Sequence, residues 1–130
     1  MMKRAFILSR PRDIEIAEAC KKRITDLGWD AVIMVDPTEW ETPPAGSVHA
    51  AYGTQNRGMF GNACASAIMA GMIAASQPGD VLIKMDCDVW LTPVIAEWLG
   101  NADQKARAMR IHYRQLMPWG GMWSAKREAV

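Results

Sequence analysis

The chain has few cysteines, little excess of either charge and no long apolar run, and each scarcity excludes a class of protein. Its three cysteines, Cys20, Cys64 and Cys87, are odd in number and too scattered for a zinc knuckle or a disulfide framework. Lys and Arg exceed Asp and Glu by a formal charge of only +1, without the basic excess of a dedicated nucleic-acid binder. The densest basic cluster, Lys21-Lys22-Arg23, falls within a predicted amphipathic helix and reads as a solvated face. Ala5 to Ser9 is too short for the core of a signal peptide. The longest low-charge stretch, Gly58 to Gln77, is dotted with Asn62, Ser66 and Ser76, which suits tight packing better than lipid contact. A soluble, cytoplasmic protein with no membrane partner and no nucleic acid is expected.

What is present is an ordinary globular composition. Half of the 130 residues are hydrophobic, enough to close a core in a single domain spanning 1–130. Ala5-Phe6-Ile7-Leu8 reads as a buried strand ended by Ser9-Arg10-Pro11. Asp13 is placed to cap a helix whose apolar residues Ile14, Ala17, Cys20, Ile24 and Leu27 keep a helical period up to Gly28. Ala31 to Val35 is a second strand, closed by Asp36-Pro37, and Thr38 to Gly53 reads as a long polar loop. A helix is expected from about Phe60 to Ser76, then a third strand from Val81 to Met85. Thr92-Pro93 opens a helix with Val94, Ile95, Trp98 and Leu99 inward, and Gly100 ends it. Ala108 to Tyr113 is a fourth strand, and Gly120-Gly121 a hinge before a last short one. The alternation implies a three-layer α/β/α domain with a mainly parallel, Rossmann-like sheet. In such sheets ligands gather at the carboxyl ends of the strands, where Ser9, Asp36, Asp86 and Asp88 fall.

Asp86 and Asp88 stand two apart on an extended segment, roughly 6.6 Å apart along the backbone and able to project the same way. Two carboxylates that close repel unless a cation lies beside them. A hard ion, Mn²⁺ or Mg²⁺, suits them, because it takes one or two carboxylates and completes its shell with water and phosphate oxygens. The plainer reading is a pair of solvated acids at a strand end. A calcium loop fails, since Trp90 and Thr92 do not supply its oxygen ligands or its glycine. Lys84 shares a face with Asp86 and reads as its charge partner. Cys87, between two acids, is disfavoured as a thiolate and so as a nucleophile. His49 and His112 read as structural.

The segment VLIKMDCDVWLTP, residues 81–93, resembles the strand, DxD motif and following proline of glycosyltransferases of the GT-A fold. GTQNRGMFGNACASAIMAG ahead of it resembles the Asn-x-Gly segment and small-residue helix of the inverting, family-2-like or galactosyltransferase-like branches. VIMVDP resembles their second strand, and PWGGMWSAKREAV their acceptor-facing Gly-Gly strand. The resemblance implies a nucleotide-diphosphate sugar donor, a UDP-sugar by preference, bound by Ser9, Arg10, Asp36, Asn56, Arg57 and Asp86. It implies a divalent metal on Asp86 and Asp88, with Gly120, Gly121 and Trp123 toward the acceptor. It places the catalytic base and a third metal ligand beyond Val130, so no catalytic residue is assigned. Two alternatives stay open. One is a catalytically incomplete donor-binding module that needs a partner or self-association. The other is a haloacid-dehalogenase-like phosphatase with Asp86 as nucleophile, although Trp90 stands where its motif has Thr or Val. A sugar-1-phosphate nucleotidyltransferase is set aside because Ser9-Arg10-Pro11-Arg12-Asp13 lacks a glycine-rich loop.

Overall fold

The structure is a computed structural model that describes residues 2–52, 62–101, 107–112 and 116–130, without the side chains of 62–64, 108–112 and 116–121. Its elements in chain order are β1 (Lys3–Leu8), α1 (Ile14–Asp26), β2 (Asp30–Val35), β3 (Val48–His49), α2 (Asn62–Ala74), β4 (Val81–Asp86), α3 (Pro93–Gly100), β5 (Arg107–His112) and β6 (Leu116–Lys126). The strands form one mixed sheet in the order β3-β2-β1-β4-β6-β5. β1, β2, β3 and β4 run parallel, and β6 is antiparallel to both β4 and β5. The sheet is therefore less parallel than the strand-helix alternation implies, because β5 and β6 pair with each other as neighbours in sequence.

Side chains alternate across each strand, and the core divides accordingly. Ala5 and Ile7 of β1, Ile33 and Val35 of β2, and Ile83 and Met85 of β4 pack with Ala17, Cys20 and Ile24 of α1 and with Ala96 and Leu99 of α3. The intervening Phe6, Met34 and Leu82 pack with Ile68 and Met72 of α2. β1, β2 and β4 thus bury apolar side chains in both directions, which is why their sequences read as continuous rather than alternating apolar runs. Gly71 lets α2 sit close: a Cβ there would meet the Cβ of Ala50 and the Cε of Met34, each at 3.1 Å.

The amino end of β4 is held by a charge network around the buried Asp80. Asp80 accepts from the backbone N–H groups of Gln77 and Met2, at 2.9 and 3.1 Å, and from Arg4 Nε at 2.7 Å. Arg4 also reaches Asp30 at 2.6 Å, which joins the starts of β1, β2 and β4. Burial alone would raise the Asp80 pKa, but the hydrogen bonds from Gln77, Arg4 and Met2 and the charge of Arg4 hold it below the usual carboxylate range. The chain returns to the same end after β6, where Arg127 N–H donates to the Asp80 carbonyl at 2.9 Å.

Several boundaries differ from the sequence reading. The loop from Thr38 to Gly53 contains β3, a strand of two residues, after a turn at Pro37–Glu39. Asp13 precedes α1 but makes no side-chain capping bond; Gly28, at φ +88°, does end the helix region as expected. Thr92 caps α3 through Ile95 N–H with Pro93 in the first turn. The inward face of α3 is only half as expected. Leu99 is buried, but Val94 and Trp98 are exposed, because Ala96 and Leu99 take the contact with the sheet. Gly120 and Gly121 lie inside the single strand β6 rather than between elements. The register of β6 against β5 shifts across them, as β5 advances from Ala108 to Arg110 while β6 runs from Trp123 back to Pro118.

Candidate functional site

Four parallel strands end along one edge of the sheet. The register pairs Val35 with His49, Leu8 with Met34, and Leu8 with Asp86, so β3, β2, β1 and β4 deliver their next residues side by side. Those residues are Ala50, Asp36, Ser9 and Cys87. The topology therefore brings Ser9, Asp36 and the Asp86–Asp88 segment to one edge.

The β1 and β2 ends are internally satisfied. Ser9 is buried; its N–H donates to the Met34 carbonyl at 3.1 Å and its hydroxyl to the Arg10 carbonyl at 3.0 Å. Asp36 is buried and caps the turn that follows it, accepting from Thr38 N–H at 3.0 Å and Thr38 Oγ1 at 2.7 Å. Arg10, half-exposed, pairs with Glu39 at 3.4 Å. Tyr52 closes the group. Its hydroxyl donates to the Met34 carbonyl at 2.9 Å and lies 3.4 Å from the Ser9 carbonyl. Burial first, and the charge of Glu39 second, push its phenol pKa up, so it remains a donor at any physiological pH. Glu39 and Tyr52 were not legible as site residues, because both lie in a stretch without strand or helix periodicity.

The β4 end is different. Lys84 is buried and donates to Asp86 Oδ1 at 2.8 Å, the charge partnership expected from their spacing. The Asp86 side chain keeps 47% of its surface exposed, and Asp88 is exposed on the turn beyond it. Val89 N–H donates to the Asp86 carbonyl at 3.2 Å, which tightens that turn. The two carboxylates are accompanied by two cations, Lys84 on Asp86 and Arg23 in a groove that Asp88 also lines. Carboxylate oxygens fit a hard divalent ion. Lys84 occupies one Asp86 oxygen, while the Asp88 side chain is exposed. Among the described residues no group of three or more His, Cys, Asp or Glu side chains forms a cage that would hold an ion unaided.

Beneath the turn lies a groove of about 140 Å³ between α1 and residues Cys87 to Trp90. It is smaller than the roughly 300 Å³ from which small-molecule pockets usually start. Its walls include Cys20, Arg23, Cys87, Asp88 and Trp90. Arg23 stacks on the Trp90 ring at 3.5 Å and donates through Nε to the Leu91 carbonyl at 3.0 Å, fastening the turn to α1. Arg23 therefore does more than belong to a solvated face. Burial first and Cys87 second push the Cys20 thiol up to about 11, and burial, then Asp13 and Asp88, raise that of Cys87. Neither is an activated nucleophile.

Trp123 of β6 pairs in register with Lys84 and packs against the α2 side of the sheet. Gly120 and Gly121 lie farther along the same strand. Asn56 and Arg57 lie outside the described residues. His49 is exposed and its Nε2 is 3.2 Å from Ser47 Oγ. No helix among the described residues is long and apolar enough to cross a membrane. No protein-family model, curated protein or solved structure matches the chain.

Proposed function

We propose that the chain is a nucleotide-sugar-binding domain of GT-A glycosyltransferase type, three-layered and Rossmann-like, that takes Mn²⁺ or Mg²⁺ at its DxD strand end. The observation that carries the reading is the contrast between a buried central strand and the acidic turn that ends it, Asp86-Cys87-Asp88, half-buried at Asp86 and Cys87 and exposed at Asp88. The parallel run of β3, β2, β1 and β4 supports it by supplying one edge along which a ligand can lie. From β2 to β4 that edge measures roughly 10 Å, at about 4.8 Å per strand, which suits a nucleoside diphosphate laid from Asp36 toward Asp88.

In this reading Asp88 is the principal metal ligand. Asp86, partly neutralised by Lys84, contacts ribose or reaches the metal through water. Asp36 and Ser9 form the floor near base and ribose, with Arg10, Asn56 and Arg57 toward phosphate. Gly120, Gly121 and Trp123 are assigned to the acceptor side. When bound, the divalent ion supplies Lewis-acid stabilisation of the charge on a departing nucleoside diphosphate. A UDP-sugar is the preferred donor and the cytoplasm the proposed location, as expected from the resemblance and from the scattered cysteines.

A second reading, a donor-binding module that works only with a partner or as an oligomer, draws support from the exposed Trp90 on the same turn and the exposed Val94 at the start of α3. Thermal unfolding in the presence of UDP-, GDP- and TDP-sugars, with and without Mn²⁺, tests the common element of both. The expected result is stabilisation by one diphosphate only when metal is present. Absence of any response rejects both. Release of free sugar from the stabilising donor then favours the enzyme, and its absence together with a dimer on gel filtration favours the module.

A further inference from the structure

The groove beneath the acidic turn holds two of the three cysteines, and the proposed function uses neither. Cys20 and Arg23 stand three apart on α1 and share a helix face. Cys87 and Trp90 stand three apart on the opposing turn, and both pairs line the same groove. The 3.5 Å stacking of Arg23 on Trp90 sets the register between the two elements, and the Arg23–Leu91 hydrogen bond at 3.0 Å locks it. Cys20 and Cys87 both line that groove, close enough for the charge of Cys87 to raise the Cys20 thiol pKa. Cys20 belongs to the packed core, and Cys87 is half-buried against that same core.

We propose that Cys20 and Cys87 are a modification site: a reversible disulfide that forms across the groove and ties the acidic turn to α1. The difference in exposure assigns the order of events. Neither thiol is activated, so exchange is slow and runs through the minor thiolate form: Cys87, the more accessible sulfur, attacks one sulfur of a low-molecular-weight disulfide and expels the first thiol. Cys20 then attacks the Cys87 sulfur of the mixed disulfide and expels the second. Two protein thiols lose two protons and two electrons, and the small disulfide becomes two thiols. The bridge fixes Cys87 between Asp86 and Asp88, so it restricts how the two carboxylates approach a common ion. That consequence rests on the proposed metal site, whereas formation of the bridge does not.

The test is incubation of the folded chain with oxidised glutathione, alkylation of remaining thiols, and mass spectrometry under non-reducing conditions. The expected product has lost two hydrogens, retains one alkylated cysteine at Cys64, and yields a peptide joining Cys20 to Cys87. The Cys64→Ser variant should still form the bridge, and Cys20→Ser should stop at a persistent glutathione adduct on Cys87. A persistent adduct on Cys87 in the unaltered chain, a bridge to Cys64, or no oxidation at all overturns the proposal. Mn²⁺ titration of the bridged and reduced forms then reads the consequence. Failure of both forms to bind metal rejects the proposed function while leaving the bridge intact.

Discussion

The two ends of β4 carry aspartates in opposite circumstances. Asp80, before the strand, is buried and accepts from Arg4 and two backbone N–H groups. Asp86 and Asp88, at and beyond its other end, face solvent, with the Lys84 ammonium donating to Asp86. A carboxylate enclosed by donors holds a fold together, and its removal strands those donors. A carboxylate left in water contributes little to stability and remains available to a ligand. The comparison separates acids that build the sheet from acids that the sheet presents.

The largest effect that could break this contrast is expected at Asp80. Asp80→Ala should cost about 3 kcal/mol or more, since it leaves Arg4 and two backbone donors beside a buried gap. Urea unfolding measures it, and a loss below about 1 kcal/mol would place Asp80 with the exposed acids. The sign with pH follows from the depressed pKa. The Asp80 contribution is fully present above the unfolded carboxylate value and is lost as pH falls through the lower folded value. Acid titration of stability should therefore be shallower in Asp80→Asn than in the parent chain.

Next in size is Arg23→Ala, which removes both the stacking on Trp90 and the bond to the Leu91 carbonyl. A loss of about 1–2 kcal/mol is expected, from about 1 kcal/mol for each contact. Smaller again is Lys84→Met. It removes one partner of a pair whose other member, Asp86, can turn to water, so a loss of about 1 kcal/mol is expected. It also frees Asp86, so Mn²⁺ affinity read by titration calorimetry should rise rather than fall. Smallest is Asp88→Ala, expected within about 0.5 kcal/mol by urea unfolding.

Much of the frame was legible because the local signals agreed with the final packing. β1, β2 and β4 appear in the sequence as apolar runs, and in the structure each is buried on both sides. Thr92-Pro93 and Gly28 mark α3 and the end of α1 by chemistry confined to a few residues. Other features depend on distant partners and left no such trace. β3 is two residues long and exists only by pairing with β2. Trp98 looks inward by helical period, but Arg107 engages it: Arg107 Nη1 donates to the Trp98 carbonyl at 2.8 Å, and the guanidinium lies 5.5 Å from the ring centre. The Gly120–Gly121 pair reads as a break, yet pairing of β6 with β4 and β5 carries the strand through it. In the site, the proximity of Ser9, Asp36 and Asp86 followed from the parallel strand order. The roles of Tyr52 and Glu39 around Ser9 and Arg10 emerged only from the fold.

The most direct measurement of the central claim is calorimetric titration of UDP into the chain with Mn²⁺ and again with the metal chelated, for the parent and for Asp88→Ala. The parent is expected to bind UDP with Mn²⁺ and to lose that binding on chelation, and the Asp88→Ala chain to be folded yet bind in neither condition. Equal binding with and without metal, or binding unchanged by Asp88→Ala, would contradict the assignment of the acidic turn as a metal-dependent donor site.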